Sequence, residues 1–208
     1  RERGLNIYYG SRFKIFGEYY QQADNLSENM IVFGADFRHY QQLHRTFIWA
    51  NRLAFSSSLG NNLLMYYMGG VDNWLFPKFN TDINIDEGKN WRYQTLATNM
   101  RGFQQNIRNG NSFFVINSEL RFPAFRYFSN KPLRSSFLHN FQVIAFGDLG
   151  TAWTGPNPYS KENSLYTQVV EQGPIKLTVK RQVEPIVGGF GTGIRSTVLG
   201  YFLRADVA

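Results

Sequence analysis

The feature that most constrains this chain is a two-residue alternation of side-chain character, recurring in segments of about ten residues, the length a tilted strand needs to cross a bilayer. Between Met30 and Tyr40, Ile31, Phe33, Ala35 and Phe37 share one face of an extended chain, while Val32, Gly34, Asp36 and Arg38 share the other. Phe47, Trp49, Leu53 and Phe55 continue the pattern opposite Thr46, Ala50 and Arg52, with Asn51 the exception on the apolar side. From Ser112 to Phe122, Phe114, Ile116, Leu120 and Phe122 oppose Asn117, Glu119 and Arg121. From His139 to Trp153, Phe141, Val143, Ala145 and Leu149 oppose Gln142 and Asp148. Leu5 to Tyr20 reads as another long strand, or a hairpin split near Gly10-Ser11, and Val187 to Val198 with Gly200 to Ala208 as a final pair. Such a pattern predicts an all-β, antiparallel protein that needs no helix.

For any single strand a soluble sandwich or lipocalin-like barrel, with the apolar face inward, is the simpler explanation. Taken together the strands argue otherwise, because their mixed faces repeat Arg, Glu, Asp, Asn, Gln and Gly, a composition suited to a wet interior. Bulky aromatics fall near strand ends at Trp49, Phe55, Tyr67, Trp74, Trp153 and Tyr201, where a membrane-interface girdle would lie. Aromatic residues make 17% of the chain and charged residues only 18%, below the roughly 25% of soluble domains. A mean hydropathy of −0.35 does not oppose a membrane barrel, whose alternation averages to a hydrophilic value. No stretch approaches the ~18 consecutive apolar residues of a membrane helix, and Arg1-Glu2-Arg3-Gly4 does not open a signal peptide.

Several function classes find no support. The net charge of +7 is spread along the chain instead of clustered, which disfavours a nucleic-acid partner. With Cys 0 there is neither a disulfide nor a thiolate metal site. His39, His44 and His139 are isolated and lack metal-ligand spacing, and there is no Gly-x-Ser-x-Gly elbow or phosphate loop. No catalytic residue, cofactor or metal is predicted.

Connections are expected to be short at one end, as at Asn130-Lys131-Pro132 and Leu199-Gly200, and long at the other, from about 61 to 111 and 155 to 184. The segment 61–111 is too long for an idle connection, and we expect it to fold into or over a barrel. It carries Gly69-Gly70, Trp74, Phe76-Pro77, an acidic patch at Asp82, Asp86 and Glu87, and then Met100-Arg101-Gly102-Phe103. Glu119 and Asp148 lie on the mixed faces of the two strands that follow, so a loop cation and two inward acids are within the same reading.

The ordered set of Arg101-Gly102-Phe103, Asn117-Ser118-Glu119-Leu120-Arg121-Phe122-Pro123, Phe146-Gly147-Asp148-Leu149-Gly150, Gly191-Thr192-Gly193-Ile194-Arg195 and Leu203-Arg204-Ala205-Asp206 resembles the C-terminal barrel of the BamA/TamA family. These outer-membrane assembly and translocation proteins are also called the bacterial surface antigen family. Lys131-Pro132-Leu133-Arg134 and Gly150-Thr151-Ala152-Trp153 are similar to versions found in Bacteroidetes-type bacteria. The resemblance implies that residues 1–208 are the C-terminal part of a transmembrane barrel of about 16 strands, with about seven or eight strands present. Earlier strands, periplasmic POTRA domains and the closing strand would then lie outside the chain.

In that family the loop arginine enters the lumen and meets acids on the next two strands, which maps by motif onto Arg101, Glu119 and Asp148. Gly102 would permit the turn and Phe103 completes the motif. Gly191 and Gly193, with Gly189 and Arg195 on the same face, would leave room for the loop tip, and Arg204 with Asp206 would form an ordinary lumen ion pair. The function implied is non-enzymatic insertion or translocation of unfolded or secreted client proteins in the bacterial outer membrane. Its partners would be lipid and periplasmic or lipoprotein subunits. A passive pore, or a barrel anchoring a patatin-like or β-propeller domain, is the alternative.

Overall fold

The computed structural model describes residues 7–23, 28–72, 74–86, 88–129, 132–161, 163, 165–172, 175–180 and 183–208. The first strands are β1 (Gly10–Gln21), β2 (Asn29–His44) and β3 (Phe47–Gly60), followed by the shorter β4 (Leu63–Met68), β5 (Trp91–Leu96) and β6 (Arg108–Gly110). Then come β7 (Ser112–Phe122), two helical turns α1 (Ala124–Phe128) and α2 (Ser136–Asn140), and β8 (Gln142–Trp153). The chain continues through β9 (Thr167–Gln172), β10 (Ile175–Lys180), β11 (Val187–Val198) and β12 (Tyr201–Val207).

Seven strands form one antiparallel sheet in the order β1-β2-β3-β7-β8-β11-β12. Two-residue connections at Arg45-Thr46 and Leu199-Gly200 join its tightest hairpins. Leu199 (φ 51°) and Gly200 (φ 85°) are both left-handed, the turn geometry that matches strand twist. Among the described residues the sheet is open, with β1 and β12 at its edges, and does not close into a barrel.

The two faces of this sheet differ in exposure. Ile31, Phe33, Phe37, Leu53, Phe114, Leu120, Leu149 and Ile194 are exposed on the outer face. The intervening positions of the inner face are covered, among them Val32, Ala50, Ala54, Val115, Ile144 and Asp148. Alternation alone produces this sorting, since successive side chains point to opposite faces.

What covers the inner face is the segment 61–111. It folds back as a small sheet of its own, in which β4 pairs in parallel with β5 and antiparallel with β6. Tyr66, Met68 and Met100 from this segment pack on Ala54, Phe113, Val115 and Ala152 from the wall, with Phe103 and Ile107 at the margin. Met68 and Met100 are fully buried, so the segment is held by an apolar contact of core quality.

Three sequence expectations need correction. Helices exist: α1 and α2 occupy the 123–141 connection, so that connection is not a short turn. Five-residue helices leave too little sequence to disturb a period-two reading, and Phe141 packs edge-on against Phe125 and tilted against Phe137 there, with ring centroids 5.1 and 5.7 Å apart. The expected turn residues Asn130 and Lys131, like Glu87 of the acidic patch and Leu5 of the first strand, lie outside the described residues. Of the two readings of the first segment the single strand is the one observed, beginning at Gly10. Finally, Trp153 is buried and Tyr67 belongs to β4 of the inner sheet, so neither joins an outward aromatic belt. Trp153 stands at the end of β8, where Gly110 lies against its backbone.

Candidate functional site

Adjacent strands and a fixed register bring the two acids together. In the β7–β8 ladder Asn117 opposes Asp148 and Glu119 opposes Phe146. Glu119 and Asp148 are therefore diagonal neighbours on one face, a separation that a single planar guanidinium spans.

The loop is stapled so that Arg101 arrives between them. The Met100 amide donates to the Gly70 carbonyl at 2.9 Å, and the Gly70 amide donates to the Phe103 carbonyl at 2.9 Å. Between these bonds the chain turns through Gly102, whose φ of 84° is unfavourable for any residue with a Cβ.

Arg101 then donates from Nε (2.7 Å) and Nη2 (2.6 Å) to the two oxygens of Asp148, and from Nη1 to Glu119 (2.5 Å). Its own amide adds a bond to Asp148 at 3.0 Å, so backbone and side chain grip the same carboxylate. The side chains of Arg101, Glu119 and Asp148 are 5%, 12% and 0% exposed, which removes most of the solvent screening that weakens surface pairs. Burial works against the charge on Arg101, but the hydrogen bond to Asp148 and the charges of Glu119 and Asp148 prevail, holding its pKa above the ordinary arginine value.

Several contributors were not foreseen. Phe146, between the acids, lies 3.8 Å below the guanidinium and offers its ring face to the cation. Asn117 donates to Asp148 at 2.8 Å and to the Asn99 carbonyl at 3.2 Å, tying the same acid to the loop a second time. Arg121 and Arg195 both pair with Glu119, at 2.9 and 2.7 Å. A separate tether runs from Arg52 to Thr98 (2.5 Å), with Arg52 and Arg38 sharing Asp36 at 2.6 and 2.8 Å. Every one of these wall residues sits at a mixed-face position. The alternation located them, whereas their pairing depends on a register that is invisible before the strands are aligned.

The glycine strand needs a narrower assignment. Gly189 is the residue against the loop tip, where a Cβ would stand 3.0 Å from the Phe103 ring and 3.2 Å from the Arg101 carbonyl. Gly191 and Gly193 instead lie against the backbone of residues 205–208, with Phe146 also beside Gly191. Their missing side chains admit the last strand and not the loop. Arg195 serves Glu119, and Arg204 pairs with Asp206 at 2.8 Å.

A further buried cation anchors the far end of the segment. Among the described residues Arg108 has no carboxylate paired with it; it donates to the carbonyls of Glu184 (2.5 Å) and Pro185 (3.3 Å), just before β11. Burial lowers its pKa from the ordinary value, an effect the nearby Glu184 charge partly offsets.

The arrangement can hold and aim a loop. Among the described residues no group of three or more His, Cys, Asp or Glu is placed to ligate a metal. Comparison with protein families, with curated proteins and with solved structures finds no match.

Proposed function

We propose that this chain forms part of an outer-membrane β-barrel of the BamA/TamA kind, which inserts or translocates other proteins and uses Arg101 to hold the 61–111 segment inside. The observation that carries this reading is the contrast between the faces of the sheet: exposed apolar side chains across the outer face, and a charged, loop-filled inner face. A soluble protein would have to leave that outer face in water, where large contiguous apolar patches are rare. The ordered motifs from Arg101 to Asp206 support the family, and Arg101 between Glu119 and Asp148 is the contact that the resemblance implies. A passive pore would use the same alternation, and what the resemblance adds is the grip on Arg101 by Glu119 and Asp148.

Lipid would then be the partner of the outer face, unfolded or secreted proteins the clients, and periplasmic or lipoprotein subunits further partners. The membrane part is tested with spin labels at Leu53 and Leu149, against labels at Arg38 and Tyr40 beside the open inner face, on protein reconstituted in liposomes. The first pair should be relaxed by dissolved oxygen and the second by a water-soluble nickel chelate. Equal access of the chelate to both pairs defeats the membrane reading. The client part is tested by insertion of an unfolded outer-membrane protein into the same liposomes, which should be accelerated by the wild type and not by Arg101→Ala.

A further inference from the structure

Below the Arg101 contact, the inner face leaves open a cavity of about 200 Å³. Its lining residues include Arg38, Arg52, Arg101, Arg121, Arg195 and Arg204. Among the described residues four carboxylates pair with these six cations: Asp36, Glu119, Asp148 and Asp206. The excess is two positive charges. On the flank, β1 adds cations and no acid at this level, since Arg12 opposes Arg38 and Lys14 opposes Asp36.

The excess is concentrated where it is poorly relieved. The Nε of Arg195 and the Nη2 of Arg204 are buried without a hydrogen-bond partner among the described residues, as are both carboxylate oxygens of Asp206 beside Arg204. Buried donors normally find acceptors, and orphaned cationic donors are the most costly to leave so. Glu119 already serves three arginines and has no spare capacity for a fourth.

We propose that this cavity binds a phosphate group, as free phosphate or a phosphate monoester, in contact with Arg38, Arg52, Arg121 and Arg204. A phosphate monoester carries about two negative charges near neutral pH and three strong acceptor oxygens, which match the charge excess. The guanidinium fork suits it geometrically. The volume is below the ~300–1,000 Å³ of sites for drug-sized molecules, which favours a compact anion over an acidic peptide. The site depends on the inner face alone and not on the membrane reading.

The test is calorimetric titration of the full-length protein in detergent with inorganic phosphate, at an ionic strength held constant with chloride. Saturable binding is expected, weakened at least tenfold by Arg38→Gln and by Arg204→Gln, with Arg38→Lys intermediate because it keeps charge but loses the fork. Absence of saturable phosphate binding overturns the proposal, as does unchanged affinity in both glutamine variants. Should either variant fail to fold, the wild-type titration decides alone. Glycerol phosphate and dihexanoyl phosphatidic acid then separate a soluble ester from a lipid headgroup as the source. Preference for hexaglutamate over phosphate would assign the surface to an acidic peptide and overturn the phosphate assignment. Failure of the spin-label experiment would leave this site standing, and loss of the site would leave the membrane reading untouched.

Discussion

The inner face of the sheet has two halves that are built on opposite principles. Toward the Gly60 end of β3, small and apolar wall residues, Ala54, Phe113, Val115 and Ala152, are sealed by Tyr66, Met68 and Met100 of the folded segment. Toward the Phe47 end, Arg38, Arg52, Arg121 and Arg195 line an open cavity with Glu119 among them. Arg101 stands at the boundary, with its neighbour Met100 in the dry half and its guanidinium in the charged one. The contrast teaches that apolar area holds the segment down, while the ion pairs fix where its tip points. Area burial is non-directional, whereas a bidentate pair has one geometry.

The comparison breaks most severely at the boundary. Arg101→Ala strips Asp148 of two of its four hydrogen bonds, leaving a fully buried carboxylate held only by the residue 101 amide and Asn117. Removing one partner of a shielded pair costs about 3–5 kcal/mol, against ~0–1 for an exposed one. The folded protein in detergent should therefore lose heat-modifiable migration at a clearly lower temperature, with Arg101→Lys in between because it cannot serve both acids. Wild-type thermal behaviour for Arg101→Ala would show that apolar contact alone fixes the tip. The dry half has its own test in Met68→Ala, a fully buried side chain whose loss should cost about 2–5 kcal/mol in the same assay. If Met68→Ala is neutral, area does not hold the segment and the division between halves fails.

How far this division could be read from the sequence depended on which physical rule governed each residue. Alternation placed Arg38, Arg52, Asn117, Glu119, Arg121 and Asp148 on inner faces, because the period of two is local and needs no partner. It could not assign Asp36 to Arg52, or Phe146 to Arg101, since those contacts arise only after register is set by distant strands. Gly191 and Gly193 show the same limit from the other side. Their small size was legible as a place of close approach, but whether the loop or the last strand approached was decided by β12, which lies against them. The internal sheet of 61–111 escaped for a different reason: β4, β5 and β6 are three to six residues long, too short for a period to emerge.

An intermediate effect is expected where the loop tip meets the glycine strand. Gly189→Leu would drive a side chain into the Phe103 ring and the Arg101 carbonyl, and overpacking of this kind typically costs about 1–3 kcal/mol. The same substitution at Gly188, on the outer face, should be better tolerated, because its Cβ would meet chiefly the flexible end of Leu149. Equal melting of the two variants would mean that the tip is not seated against β11.

The smallest effect should come from the tether that repeats the boundary contact with weaker means. Arg52 donates to Thr98 at 2.5 Å while pairing with Asp36, and its side chain remains 25% exposed. Thr98→Val keeps the volume and removes only the acceptor; Arg52 retains Asp36, so no charge is left buried and alone. A net loss of about 0.5–1.5 kcal/mol follows, the worth of one hydrogen bond. The informative measurement is the double variant with Arg101→Ala. If both contacts restrain the same tip, the paired losses should deviate from additivity by more than the ~0.3–0.5 kcal/mol seen for independent sites. Strict additivity would mean that Arg52 stiffens the wall and Arg101 alone aims the segment.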